Sequence, residues 1–122
     1  MTIGTLKGVE EVNGHKLIVM DELREKYPER FNESGAMDYT WFEKEIRPHH
    51  DIFVRNDVDS LTFNIMTKPV SEGGKGCQFT DLIQVALIML KKLNERYSCR
   101  ENAITITKLE EALLWQKART EE

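Results

Sequence analysis

The chain predicts an α+β fold: a small antiparallel β-sheet with an N-terminal hairpin, followed by a C-terminal antiparallel helical hairpin. Three observations predict it. Asn13-Gly14 stands between two strand-like runs, residues 51–66 hold two further runs rich in β-branched and aromatic side chains, and residues 80–119 switch to helical spacing.

Each element has a local reason. TLKGVEEV and HKLIVM flank Asn13-Gly14, the dipeptide that best tolerates the positive φ angles of a type I′ turn. A short helix over 21–27 should end at Pro28, which cannot continue it. Residues 30–35 are polar and read as a loop, and a second short helix over 38–46 is closed by Arg47-Pro48. DIFVR (51–55) and LTFNIM (61–66) read as strands, with Asn56-Asp57 and Asp59-Ser60 marking the turn between them. TKPVSEGGKGCQ then reads as a glycine-rich loop.

From Thr80 to Tyr97 the residues Ile83, Ala86, Leu87, Leu90, Leu93 and Tyr97 form one helical stripe. Leu82, Val85, Ile88 and Met89 add apolar groups on the other sides, so this helix must be covered on more than one face. The sheet covers one face; a second copy of the chain is the expected cover for the other. The last helix opens at Ser98 and Glu101, which have capping-box spacing. Ile106, Leu109 and Leu113 form its core stripe, with Lys108, Ala112, Trp115 and Arg119 along a neighbouring face. Residues 1–122 are expected to be one domain, with 1–78 a β-rich part with short helices and 79–122 a helical hairpin that serves oligomerisation.

Bulk properties narrow the function. A net charge of −4 argues against a general nucleic-acid coat, so no DNA partner is expected. Two cysteines, with no CxxC, are too few for a disulfide framework and suit a reduced, intracellular protein. The N-terminus lacks the apolar core of a signal peptide, and LIQVALIML is too short to span a bilayer; a cytoplasmic protein with no membrane partner is expected.

Chemistry-bearing groups are sparse. Glycines in Ser71–Gly76 could let backbone N–H groups converge on a phosphate, but no Walker A spacing follows and a flexible strand-to-helix connection is the favoured reading of such a loop. His49-His50-Asp51 lacks the further donors of a metal set, the one other histidine being His15, so no metal is expected and a polar strand edge is the reading. Cys99 before Arg100 has no base partner in sequence, and Glu110-Glu111 read as a solvated helix face. Arg96, Arg100, Lys108, Lys117 and Arg119 could bond phosphate, while Trp41, Phe63, Phe79 and Trp115 read first as packing residues.

The run GCQFTDLIQ…RYSCRENAITITKLEEALLW, with KART after it, resembles the C-terminal domain of phage Thoeris anti-defence (Tad) proteins and of their anti-CBASS relatives. Cys99, Arg100, Glu101, Asn102, Ala103, Thr107, Lys108, Leu109, Glu111, Ala112 and Trp115 meet its pattern. The chain departs from it at Gly74-Lys75-Gly76-Cys77-Gln78, where members often carry Val-Asn-Gly-Cys-Gln, and at Phe63-Asn64, where Phe-Gln-x-Gly-Pro is usual.

The resemblance implies a non-enzymatic sponge, with no cofactor, that holds cyclic nucleotide immune signals without cleaving them. The expected ligand is a glycocyclic ADP-ribose made by TIR proteins, with cyclic oligonucleotides bound at a separate site in some members. It also implies a homo-oligomer, dimers assembling to a hexamer, acting in the cytoplasm of the infected host. On this reading the ligand-binding residues are Arg55, Phe63, Lys75, Gly76, Gln78, Phe79, Arg96, Arg100 and Arg119. The alternative is a phage protein-interaction module with no nucleotide ligand.

Overall fold

The computed structural model describes residue 6, residues 8–55 and residues 60–120. Strands β1 (Glu11–Val12), β2 (His15–Val19), β3 (Ile52–Arg55) and β4 (Ser60–Phe63) form one sheet in the order β1-β2-β3-β4. The first hairpin turns where expected: Asn13 and Gly14 have φ of 52° and 83°, the pair of positive angles a type I′ turn demands. Its first strand is shorter than the run TLKGVEEV suggested, and Thr5 and Lys7 of that run lie outside the described residues. The turn assigned to Asn56-Asp57 and Asp59 also lies outside them.

The predicted fold class holds, with one departure. β1 and β4 run antiparallel to their neighbours, but the central strands β2 and β3 are parallel, with Leu17 opposite Ile52 and Val19 opposite Val54. The cause is the connection. Parallel neighbours need a long crossover, and residues 20–51 supply it with α1 (Met20–Lys26) and α2 (Tyr39–Trp41). α2 runs on as a wide π-turn over Phe42–Ile46 and a 3-10 turn over Arg47–His49, where Pro48 ends regular helix. Asp38 starts α2 by accepting the Trp41 N–H at 3.2 Å.

The crossover splits the apolar side chains into two layers. Leu17, Val19, Ile52 and Val54 face one side, where they pack with Leu6, Val12, Cys77 and Val85. Ile18 and Phe53, one residue out of phase, face the other and pack against Leu23, Trp41, Phe42 and Ile46. Strands buried on both faces need an apolar residue at nearly every position, which is why IFV and LIV read as continuous runs.

Helix α3 (Phe79–Arg96) lies on the first layer through Val85, Ile88 and Met89, and α4 (Arg100–Thr120) returns antiparallel along it, with Lys91 Nζ 3.6 Å from Glu110 Oε2. Cys99, rather than Ser98, stands at the α4 cap: its Sγ accepts the Asn102 N–H at 3.4 Å. Among the described residues of α4 none is fully buried. Ile106, Leu109 and Leu113 are half-buried, whereas Ile104, Leu114 and Trp115 are exposed. Trp41 therefore packs within the chain, whereas Trp115 is 75% exposed in the single chain, which has nothing to lay over that face. Among the described residues no helix is long and apolar enough to cross a membrane.

Candidate functional site

A cleft of about 440 Å³ opens on the crossover side of the sheet, a size typical of small-molecule sites. Its floor is the outward row Phe53, Arg55, Thr62 and Asn64 of β3, β4 and the residue after β4. One wall is α1, through Met20, Asp21 and Arg24; the other is Tyr39, Phe42 and Arg47. Segment 31–37 closes the rim. It is a built wall, since Asn32 Oδ1 accepts the N–H groups of Ser34 and Ala36 at 3.0 and 2.9 Å, and Phe31 bridges Met37.

Three guanidinium groups, Arg24, Arg47 and Arg55, meet one carboxylate, Asp21, in this lining. Arg24 lies 5.3 Å from the Phe31 ring centroid, and Arg47 Nη1 lies 3.1 Å from Glu43 Oε1. Tyr39 presents an exposed ring at the rim, set edge-on to Phe42 at 6.3 Å, and Phe42 in turn packs on Phe53 at 5.9 Å. The arrangement suits a ligand that carries both negative charge and a flat ring. Guanidinium forks hold phosphate oxygens bidentately, and an aromatic face accepts a base.

A second polar cluster lies at the end of the sheet where the first hairpin meets the start of α3, and it touches the cleft floor where Asn64 Nδ2 lies 3.5 Å from Asp51 Oδ1. His15 bridges two carboxylates, with Nδ1 2.8 Å from Asp51 Oδ2 and Nε2 3.2 Å from Asp81 Oδ2. Asn13 Nδ2 donates to Asp81 Oδ1 at 2.9 Å, and the Gln78 N–H donates to Asp81 Oδ2 at 2.8 Å. The run His49-His50-Asp51 is thus divided: Asp51 joins His15, while His50 Nδ1 lies 2.7 Å from the Ile46 carbonyl.

Cys77 is fully buried beside this cluster, and its thiol is pushed from 9.0 up to about 11, first by burial and then by the Asp81 and Asp51 carboxylates. The neutral thiol is therefore the form the fold prefers. Its stabilising contribution is complete below pH 9 and is lost as pH rises through about 11, at on the order of 1 kcal/mol per pH unit. In metal-free protein at pH 8, a disulfide reagent should label exposed Cys99 within its mixing phase and Cys77 only after unfolding. Two equally fast thiols would contradict this placement.

The residues singled out from sequence are dispersed. Arg55 reaches the cleft, but Phe63, one residue out of phase with Thr62, packs into the opposite layer. Gly76 serves packing: a Cβ there would stand 2.5 Å from the Asn64 carbonyl oxygen, because Cys77 N–H bonds that oxygen at 2.6 Å. Lys75, Gln78 and Phe79 are exposed at the start of α3, and the antiparallel pairing brings Arg119 to the same end of the hairpin. Arg96 and Arg100 sit at the other end, with Arg96 5.9 Å from the Tyr97 ring.

Sequence reasoning passed over Arg24, Arg47 and Tyr39, which converge through the crossover and share no spacing signal. Asp81 had a readable signal: it lies three residues after Gln78, the spacing of a helix-start capping pair.

The model of the Acb2/Tad1 hairpin domain matches residues 66–121. The protein named Thoeris anti-defense 1 from Bacillus phage SBSphiJ7 is 46% identical to this chain over 63 residues, which are 50% of this chain and 44% of that protein. The matched stretch thus spans under half the length of that relative. No solved structure matches. The stretch that carries the glycine loop and both long helices, a little under half of the chain, is thus similar to the Acb2/Tad1 hairpin domain and to this Thoeris anti-defence protein.

Proposed function

We propose that this protein is a sponge: it binds a glycocyclic ADP-ribose signal and holds it uncleaved, so that the Thoeris effector is not activated. The observation that carries the reading is the cleft, where Arg24, Arg47 and Arg55 surround a space of about 440 Å³ rimmed by the exposed ring of Tyr39. A cyclic ADP-ribose has a pyrophosphate for the guanidinium groups and an adenine for the ring. Sequestration needs affinity and no bond-breaking step, and it operates wherever the signal is made, in the cytoplasm of the infected host. Native mass spectrometry with glycocyclic ADP-ribose isomers tests it. The expected result is a complex carrying the intact ligand mass, with the ligand recovered unchanged after heating; no complex, or a hydrolysed ligand, overturns it.

The same reading includes self-assembly. Ile104, Leu114 and Trp115 of α4, with Phe79 and Leu82 of α3, leave a hairpin with large exposed apolar side chains, and a second copy of the chain would cover them. We expect dimers assembling to a hexamer, in which Lys75, Gln78, Phe79 and Arg119 at one end of the hairpin, and Arg96 and Arg100 at the other, are open to a neighbouring copy. Cyclic oligonucleotides are the ligand class for such a second site. In the Leu114→Glu/Trp115→Glu variant the mass measured by light scattering should fall towards that of one chain. Its circular dichroism should not change, because both side chains are exposed in the single chain.

A further inference from the structure

We propose that His15, Cys77 and Asp81 form a site for one transition-metal ion, with zinc(II) the matching ion, which ties the first hairpin to the start of α3. One donor atom from each residue lies within 4.8 Å of the other two. They come from three separate segments: the start of β2, the glycine loop and the first turn of α3. Imidazole nitrogen, thiolate sulfur and carboxylate oxygen are the donors zinc takes, at distances of about 2.0–2.3 Å. Tetrahedral placement at those lengths separates the donors by roughly 3.3–3.7 Å. His15 Nε2 and Asp81 Oδ2 already stand 3.2 Å apart, so small side-chain rotations complete the set.

The surroundings are those of a supported metal site. Asp51 Oδ2 takes the Nδ1 side of His15 at 2.8 Å, the carboxylate–histidine pairing that leaves Nε2 as the ligand. Asn13 and the Gln78 N–H hold the two oxygens of Asp81 at 2.9 and 2.8 Å, fixing its carboxylate plane. Cys77 and Asp81 are buried, while the side chain of His15 is 23% exposed, so the fourth position is open to a water molecule.

Both nitrogens of His15 face carboxylate oxygens at hydrogen-bond distance. The Sγ proton leaves to solvent as the metal–sulfur bond forms, and zinc with one thiolate and two carboxylates sums to −1, so the ion offsets most of the negative charge that these groups bring to a buried site. None of the three donors His15, Cys77 and Asp81 lines the cleft, although Asp51 meets the cleft residue Asn64 at 3.5 Å, and the inference does not rest on the sponge reading.

Cobalt(II) titration of the metal-stripped full chain tests it, in a Cys99→Ser background so that Cys77 is the one thiol. The expected result is one equivalent of cobalt with a near-ultraviolet thiolate-to-cobalt charge-transfer band, displaced by zinc, and a melting temperature that rises with free zinc. Cys77→Ser should abolish the band, and His15→Gln should weaken binding at least 100-fold. Asp51→Asn should keep the band while lowering affinity about 10–100-fold. No cobalt uptake by the unsubstituted site overturns the proposal without recourse to any variant. So does a band that survives Cys77→Ser, or an affinity unchanged by His15→Gln.

Discussion

In the Arg24→Ala/Arg55→Ala variant, affinity for a glycocyclic ADP-ribose should fall by about 10²–10⁴-fold. Each charge-assisted bond to a phosphate is worth about 1.5–3 kcal/mol, and two are removed together. Both residues line the cleft, and both are exposed, so the fold should survive their loss. Tyr39→Ala should have a smaller effect, near tenfold, since one base–ring stack contributes about 1–3 kcal/mol. Isothermal titration checks both. If the double variant binds as tightly as the parent while an Arg100→Ala/Arg119→Ala variant does not, the ligand sits at the ends of the helical hairpin and the cleft is not its site.

Gly76→Val should destabilise the protein by roughly 2–6 kcal/mol, read as a shift of the urea midpoint. Two independent effects add. The backbone there has φ of 119°, a conformation that L side chains rarely adopt and that costs of order 1–3 kcal/mol. A Cβ would also stand 2.5 Å from the Asn64 carbonyl oxygen, and the strand-like bridge between Ile65 and Cys77 leaves no room for it to withdraw. Overpacking of that kind costs about 1–3 kcal/mol. A midpoint shift equal to that of a surface substitution would mean the loop does not dock on the end of β4. Gly14→Val, where a Cβ meets open space, is the control for backbone strain without a clash.

The glycine loop shows how a stretch can be marked in sequence without its partner being named. Gly74, Gly76 and their neighbours are visibly a special segment, and convergent N–H groups on a phosphate are one use of such glycines. In the structure the glycine at 76 lets Cys77 reach the sheet, where Cys77 N–H bonds Asn64 and Cys77 carbonyl accepts the Met66 N–H at 2.9 Å. The residue type announces a demand for space or unusual φ. The partner that creates the demand lies twelve residues away and has no local signature.

Much was settled by sequence alone. Asn13-Gly14 dictated its turn, Pro28 and Pro48 ended their helices, and the apolar periodicity of residues 79–120 made two long helices, one of them with more apolar surface than one chain covers. These follow from forces that act within a few residues: allowed φ angles, a missing N–H, side chains repeating every 3.6 positions. The tertiary structure alone decided the rest. The parallel pairing of β2 with β3, the exposure of Trp115, the meeting of Arg24, Arg47 and Arg55, and the joining of Asn13 and His15 to Asp81 all depend on how a 32-residue crossover and a helical hairpin pack on opposite faces of one sheet. Asn13 and Asp81 are 68 positions apart, and no local preference reaches that far. Burial of the two apolar layers brings such residues together, and it constrains the side of the sheet a residue faces without encoding which polar group it will meet there.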